Sequence, residues 1–307
     1  MNKIISPDSP ELDIADLIAL AGYAKHLGRA PYNSHRRPPR AGAHQSRTKG
    51  HGMEMLEVRQ YQASDEFRHI DWRVTARSGI PHTRVYAEEN QHHRQLLLDL
   101  TGAGYFGTQD TFISTRMAQV LALIAWRNRL QNDTLGFSLC YGAEQDQQTH
   151  LSDKFGLQPL LTKLAAATKI HHRKQNTQLK APWQLLDTYK KIKNQDIIIC
   201  SDRQQLTQQD LHHLSHLARH NYLHWLRITD TNVFKLPHGQ YALAAQSGPQ
   251  WVNVSHASLT KAQDHLNNQR LIMQHALSQC GVNLHDFSLS ESPIQIARQL
   301  LALGVIR

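Results

Sequence analysis

The sequence has few cysteines, no long apolar run and no phosphate-binding glycine signature, and each absence removes a class of protein. Its three cysteines, Cys140, Cys200 and Cys280, lie far apart without a CxxC pair, which removes both a disulfide framework and a cysteine zinc knuckle. A reduced, cytoplasmic setting is expected. The longest apolar helical stretch, residues 117–126, reaches about half of the roughly 20 residues that cross a bilayer. No membrane span is expected. Asp8, Glu11, Asp13 and Asp16 stand where a secretory signal needs an unbroken apolar core, so export is not expected either. GxxxxGK[ST], a GxGxxG after a strand and a GxSxG elbow are all missing. The common nucleotide-binding and esterase chemistries have no foothold here.

What is present is a globular chain with an uneven charge. Its 307 residues suffice for one large domain with an appendage or for two small domains. The formal charge of +9 is concentrated in residues 25–49, which hold Arg29, Arg36, Arg37, Arg40 and Arg47 and no acidic residue. Pro31, Pro38, Pro39, Gly42 and Gly50 make this an irregular arm. It reads as a solvated basic linker or as a contact for RNA or acidic lipid.

Hydrophobic periodicity divides the rest. Ser9-Pro10-Glu11 followed by Leu12, Ala15, Leu17, Ile18 and Leu20 predicts an N-terminal helix. Residues 55–61 and 83–88 are extended in character and bracket a charge cluster at 65–77, predicting a small β-rich flap. From Gln95 onward strands alternate with helices, which argues for a mainly parallel, doubly wound α/β sheet with helices on both faces. Predicted strands cover 96–100, 134–141, 196–200, 222–228 and 251–254. Predicted helices cover 113–130, 157–167, 181–191, 206–220, 259–280 and 293–303. The resulting division is an N-terminal helix and basic arm at 1–50, a flap at 51–94 and the α/β domain at 95–307.

Two buried strands end on carboxylates, Asp99 and Asp202, and strand ends in such a sheet gather along one rim. With the Thr101 hydroxyl they make a chemically sensible partial shell for Mg²⁺, a hard ion that takes oxygen ligands. Asp202 has an equally plain reading as the cap of the helix that follows it. In the flap, Asp65, Glu66 and Asp71 lie among Arg68, Arg73 and Arg77, with Trp72 offering a face to a guanidinium. That cluster reads as a salt-bridge lattice or as a docking surface anchored by Asp71, Trp72, Arg73 and Arg77. His212, His216 and His220, at helical spacing, read as a polar face, because no HExxH or carboxylate accompanies them.

Two patterns then resemble known families. Asp99-x-Thr101-x-Ala103, Thr177 and Ser201-Asp202 resemble, in order, the metal-ion-dependent adhesion site of von Willebrand factor A domains. Gly52-Met53-Glu54, Arg59-Gln60-Tyr61, Asp65-Glu66-Phe67-Arg68 and Ile70-Asp71-Trp72-Arg73-Val74-Thr75-Ala76-Arg77 resemble the signature of bacterial domain-of-unknown-function family 58, DUF58. The resemblance implies a von Willebrand factor A-like fold and pairing with a MoxR-type AAA+ ATPase. It also implies a Mg²⁺ site at Asp99, Thr101, Thr177 and Asp202. The usual motif is Asp-x-Ser-x-Ser, and Ala103 cannot supply the last oxygen, so the implied site is degenerate. The expectation is a non-enzymatic protein-binding adaptor. Alternatives are a nucleic-acid-binding protein acting through the basic arm and a metal-dependent hydrolase on the same rim.

Overall fold

The computed structural model describes residues 9–28, 55–63, 65–86, 93–101, 103–108, 111–151, 156–174, 180–188, 192–235, 237–245 and 248–306. Residues 29–49 of the basic arm therefore lie outside the described residues. The chain forms two compact units, Arg36–Gln91 and the remainder.

The larger unit is built on a sheet of β3 (His93–Leu100), β4 (Thr134–Tyr141), β5 (Glu144–Gln148), β6 (Asp196–Ser201), β7 (Tyr222–Thr229) and β10 (Val282–Ser288). Their order is β10-β7-β6-β3-β4-β5, parallel throughout except for the antiparallel β4–β5 pair. This is the doubly wound, mainly parallel α/β arrangement expected, with the order reversing at β3. Alternate residues of a strand face opposite sides. Leu96 and Leu98 of β3, with Ile198 and Cys200 of β6, face a core shared with α3 (Ile113–Leu130), α4 (Gln158–Ala167) and α8 (Pro293–Ala302). Leu97, Ile197 and Ile199 face a second core with α5 (Pro182–Asp187), α6 (Gln208–Ala218) and α7 (His256–Gln279).

Residues 114–125 of α3 are buried on every side because α1 (Ile14–Lys25) covers the helix opposite the sheet, inserting Leu17, Leu20 and Ala24. Burial of each leucine contributes about 2 kcal/mol, and Trp126 Nε1 ties the two helices by donating to the Leu17 carbonyl at 2.9 Å. The N-terminal helix is thus part of the α/β unit rather than of the arm.

Three strands were not predicted. β5, Glu-Gln-Asp-Gln-Gln, holds no apolar residue and exists because its backbone completes the β4 ladder at a sheet edge. β10, at the other edge, is half polar for the same reason. β8 (Gly239–Ala245) pairs antiparallel with β9 (Gly248–Val254), of which only 251–254 was expected. α5 is shorter than predicted, ending at Asp187, and α7 begins earlier, at His256, where Ser255 and Ser258 form a reciprocal cap. Gly281, at φ +76°, ends α7 as expected.

The smaller unit pairs β1 (Met55–Gln60) with β2 (His82–Tyr86) antiparallel and adds a helix that was not predicted, α2 (Trp72–Ser78). Its ion pairs differ from those expected. Asp65 takes a two-pronged contact from Arg59 at 2.8 and 2.9 Å. Asp71 caps α2 by accepting from the backbone N–H groups of Arg73 and Val74, and accepts Arg84 Nε at 2.9 Å. The Arg84 guanidinium holds the Asp71 carboxyl below the usual carboxylate range. A capping aspartate turns its oxygens to the helix start, so the cation comes from the facing strand rather than from Arg73 or Arg77. Arg73 and Arg77 are exposed, Trp72 is 68% exposed, and among the described residues none of the guanidinium groups stacks on it.

Candidate functional site

Strand parity sets the chemistry of the rim. Asp99 and Ser201 are register partners on β3 and β6 and share the face of Leu97 and Ile199, so both point toward α5 and α6. Asp99 is only 2% exposed. Its Oδ2 accepts from Ser201 Oγ at 2.9 Å and from Arg203 Nε at 2.6 Å, while Arg203 Nη2 lies 3.4 Å from Oδ1. The same guanidinium stands 3.9 Å from Asp210 Oδ2 and lies over the Trp183 ring, 5.3 Å from its centroid. Trp183 Nε1 and Gln184 Nε2 each donate to Asp210 Oδ1 at 2.9 Å. Arg203 is therefore enclosed by two carboxylates and an aromatic face. The cation–π contact foreseen at Trp72 occurs here instead.

Burial pushes the Asp99 carboxyl up to about 6, although Arg203 pulls the other way. Burial also works to raise Asp210, but hydrogen bonds from Thr207 and Trp183 outweigh it and leave that carboxyl below its ordinary range. At neutral pH the cation lies between ionised carboxylates.

Asp202 does something different. Its Oδ1 accepts both the backbone N–H and the hydroxyl of Thr101 at 2.7 Å, and its Oδ2 accepts the Gly104 N–H at 2.6 Å. The approach is close enough to favour glycine, since a Cβ on Gly104 would stand 3.0 Å from Oδ2 and press on the clasp. Asp230, just after β7, repeats the device: its Oδ2 accepts the N–H and hydroxyl of Thr108 at 2.6 and 2.7 Å, and its Oδ1 accepts Asn232 N–H at 3.0 Å. Two aspartates from adjacent strand ends thus each clasp a threonine of the loop after β3. Asp202 is not the cap of α6, because Thr207 and Asp210 form a reciprocal capping pair there.

These residues do not fit a divalent ion as arranged. Mg²⁺ needs near-octahedral oxygens at 2.0–2.1 Å, and the oxygens of Asp99 and Asp202 are directed at internal N–H and O–H donors. Thr101 donates its hydroxyl proton to Asp202 and keeps its oxygen lone pairs, but Ala103 brings no side-chain oxygen and Thr177 lies outside the described residues. An ion bound to Asp99 would also meet the Arg203 guanidinium. Like charges about 4 Å apart repel by about 4 kcal/mol per unit of ion charge at the effective dielectric of a protein surface.

Beside the rim opens a cavity of about 330 Å³, lined by Phe106, Asp202, Arg203, Phe234, His265 and Leu266 among others. One wall is α7 and the other is the clasped loop. The histidines of α6 are arranged otherwise than their spacing suggested: His213 Nδ1 lies 2.8 Å from Asp187 Oδ2, and His216 contacts the other oxygen of the same carboxylate. Among the described residues no group of three or more His, Cys, Asp or Glu side chains is placed to hold a metal ion. Sequence reasoning missed Arg203, Asp210 and the site role of Asp230. The one available signal was that Asp230, like Asp202, directly follows a buried strand.

Comparison with known proteins adds a family. A structure titled as a conserved hypothetical protein, BatB, from Bacteroides thetaiotaomicron is similar at 11% identity, covering 70% of this chain and 97% of that one with a TM-score of 0.44. The SpRpn10 VWA domain is similar at 12% identity, covering 71% and 100%, with a TM-score of 0.37. Uncharacterized proteins of Mycobacterium tuberculosis and Mycobacterium bovis are each 31% identical over 102 residues, 33% of this chain. The chain spans about a third, 32%, of the length of these curated relatives. The family model described as protein of unknown function DUF58 matches residues 57–268, more than half of the 307, and the chain belongs to the DUF58 family.

Proposed function

We propose that this chain is a protein-binding adaptor that receives its partner at the C-terminal rim of the sheet, in the cavity between the clasped loop and α7, and that the partner is a MoxR-type AAA+ ATPase of the cytoplasm. The observation that carries this reading is the state of the rim. Asp99, Asp202, Asp210 and Asp230 are each held by fixed internal donors, so the rim offers a set shape. Next to it lies an opening whose Phe106, Phe234 and Leu266 supply apolar contact, and aromatic and aliphatic side chains of this kind form interface centres. Exposed Trp72, Arg73 and Arg77 offer a further anchor on the smaller unit.

Capture tests the proposal. The tagged full chain recovers an AAA+ ATPase from the cells that encode it, and Leu266→Arg, which drives a long cation into the cavity, abolishes recovery. Because Leu266 is half-exposed, the substitution leaves the melting temperature within about 2 °C. Recovery of no AAA+ ATPase, or equal recovery by the variant, contradicts the proposal.

A further inference from the structure

We infer that Arg203 is a tethered cation that takes the place of a divalent ion in this rim, so that the rim is set permanently and without metal. The inference stands whether or not a partner docks there. It begins from Asp99, which at 2% exposure would be a costly isolated charge in the core. Something positive must accompany it, and the nearest positive group is Arg203, with Nε at 2.6 Å and Nη2 at 3.4 Å. The guanidinium is itself anchored, by Asp210 Oδ2 on one side and the Trp183 face on the other. Trp183 and Gln184 in turn fix Asp210. A planar, permanently charged fork suits this enclosure better than a lysine ammonium would.

A divalent ion bound to the aspartates and Thr101 would also draw the loop after β3 toward the sheet, because it gathers oxygen ligands from both. That job is done here by direct hydrogen bonds. Asp202 holds Thr101 and Gly104, and Asp230 holds Thr108. Charge neutralisation is assigned to Arg203 and loop positioning to the two aspartate clasps. The replacement of a hydroxyl by Ala103 removes a ligand that the arrangement no longer uses.

The test uses Mn²⁺ as a paramagnetic probe on chelator-treated full-length protein. Wild type leaves the free-Mn²⁺ signal undiminished, and its melting temperature is the same in Mg²⁺ and in EDTA. Arg203→Gln, which keeps a polar side chain but removes the charge, withdraws about one Mn²⁺ per chain, and adding Asp99→Asn to it cancels the uptake. Arg203→Lys retains a cation and stays metal-free. If Arg203→Gln does not fold alone, recovery of its fold by Mn²⁺ supports the inference, and failure to recover overturns it. Asp99-dependent Mn²⁺ uptake by the wild type overturns it, as does a folded Arg203→Gln that takes up no Mn²⁺. A rim that proves metal-free yet recovers no ATPase leaves this inference intact and removes only the proposed partner.

Discussion

Asp202 shows how one side chain can hold a loop that its position in the sequence does not explain. It is separated from Thr101 and Gly104 by 101 and 98 residues, yet it accepts three charge-assisted hydrogen bonds from them, and such bonds contribute about 1.5–3 kcal/mol each at most. Asp202→Asn keeps the shape and one acceptor oxygen but directs an NH₂ at either Thr101 or Gly104, donor against donor. The expected loss is about 2 kcal/mol, lowering the melting temperature by roughly 5 °C, with secondary structure unchanged by circular dichroism. An unshifted melt would mean that the clasp is not formed in solution. The sequence brought Asp202 and Thr101 to one rim, but as ligands of a shared ion or with Asp202 as a helix cap; that they bond each other directly was not legible. The cap is Thr207, five positions on, and the aspartate is free to turn back across the sheet.

Elements differ in how much of themselves the sequence displays. β3 and β6 are buried on both faces, and their leucine and isoleucine runs announce them. Edge strands need only backbone partners on one side, so β5 and β10 carry few of the expected apolar residues. β10 also introduces a pH dependence. His285 stands opposite Leu226 in the ladder and contacts His224 of β7, Nδ1 of His224 lying 3.1 Å from Nε2 of His285. Burial holds the His285 imidazole below its ordinary value, with Asp286 partly countering. A histidine whose folded pKa is depressed is protonated first in the unfolded chain. Its contribution is therefore full above about pH 6.5, the unfolded value, and is lost as pH falls below it. Asp99, pushed up to about 6, acts in the opposite sense through the same window. The diagnostic is accordingly a difference: between pH 7.5 and about 5, wild type loses stability relative to His285→Gln in denaturant melts. Parallel pH profiles for the two proteins would contradict the assignment.

At the scale of the whole molecule, the doubly wound sheet was legible from the alternation of strands and helices, and the rim followed from knowing where strand ends gather. The carboxylates and the Thr101 hydroxyl suggested a metal for that rim, and the family resemblance agreed. What the linear sequence could not show is which charge reaches which carboxylate. Asp99 and Arg203 are 104 residues apart and meet only because β3 and β6 are neighbours whose parity turns Asp99 and Ser201 to one face. In the smaller unit the same limitation made Arg73 and Arg77 look like partners of Asp65 and Asp71, whereas Arg59 and Arg84 of the flanking strands fill that role. Charge proximity in sequence is a poor guide wherever a turn of helix intervenes.

The central claim, that the rim is held by its own side chains, is tested most directly by amide hydrogen exchange across residues 101–108 of the wild-type protein in EDTA and again in Mg²⁺. The account predicts that the Thr101, Gly104 and Thr108 amides are protected equally in both conditions. Free exchange in EDTA, with protection appearing only when Mg²⁺ is added, would contradict it.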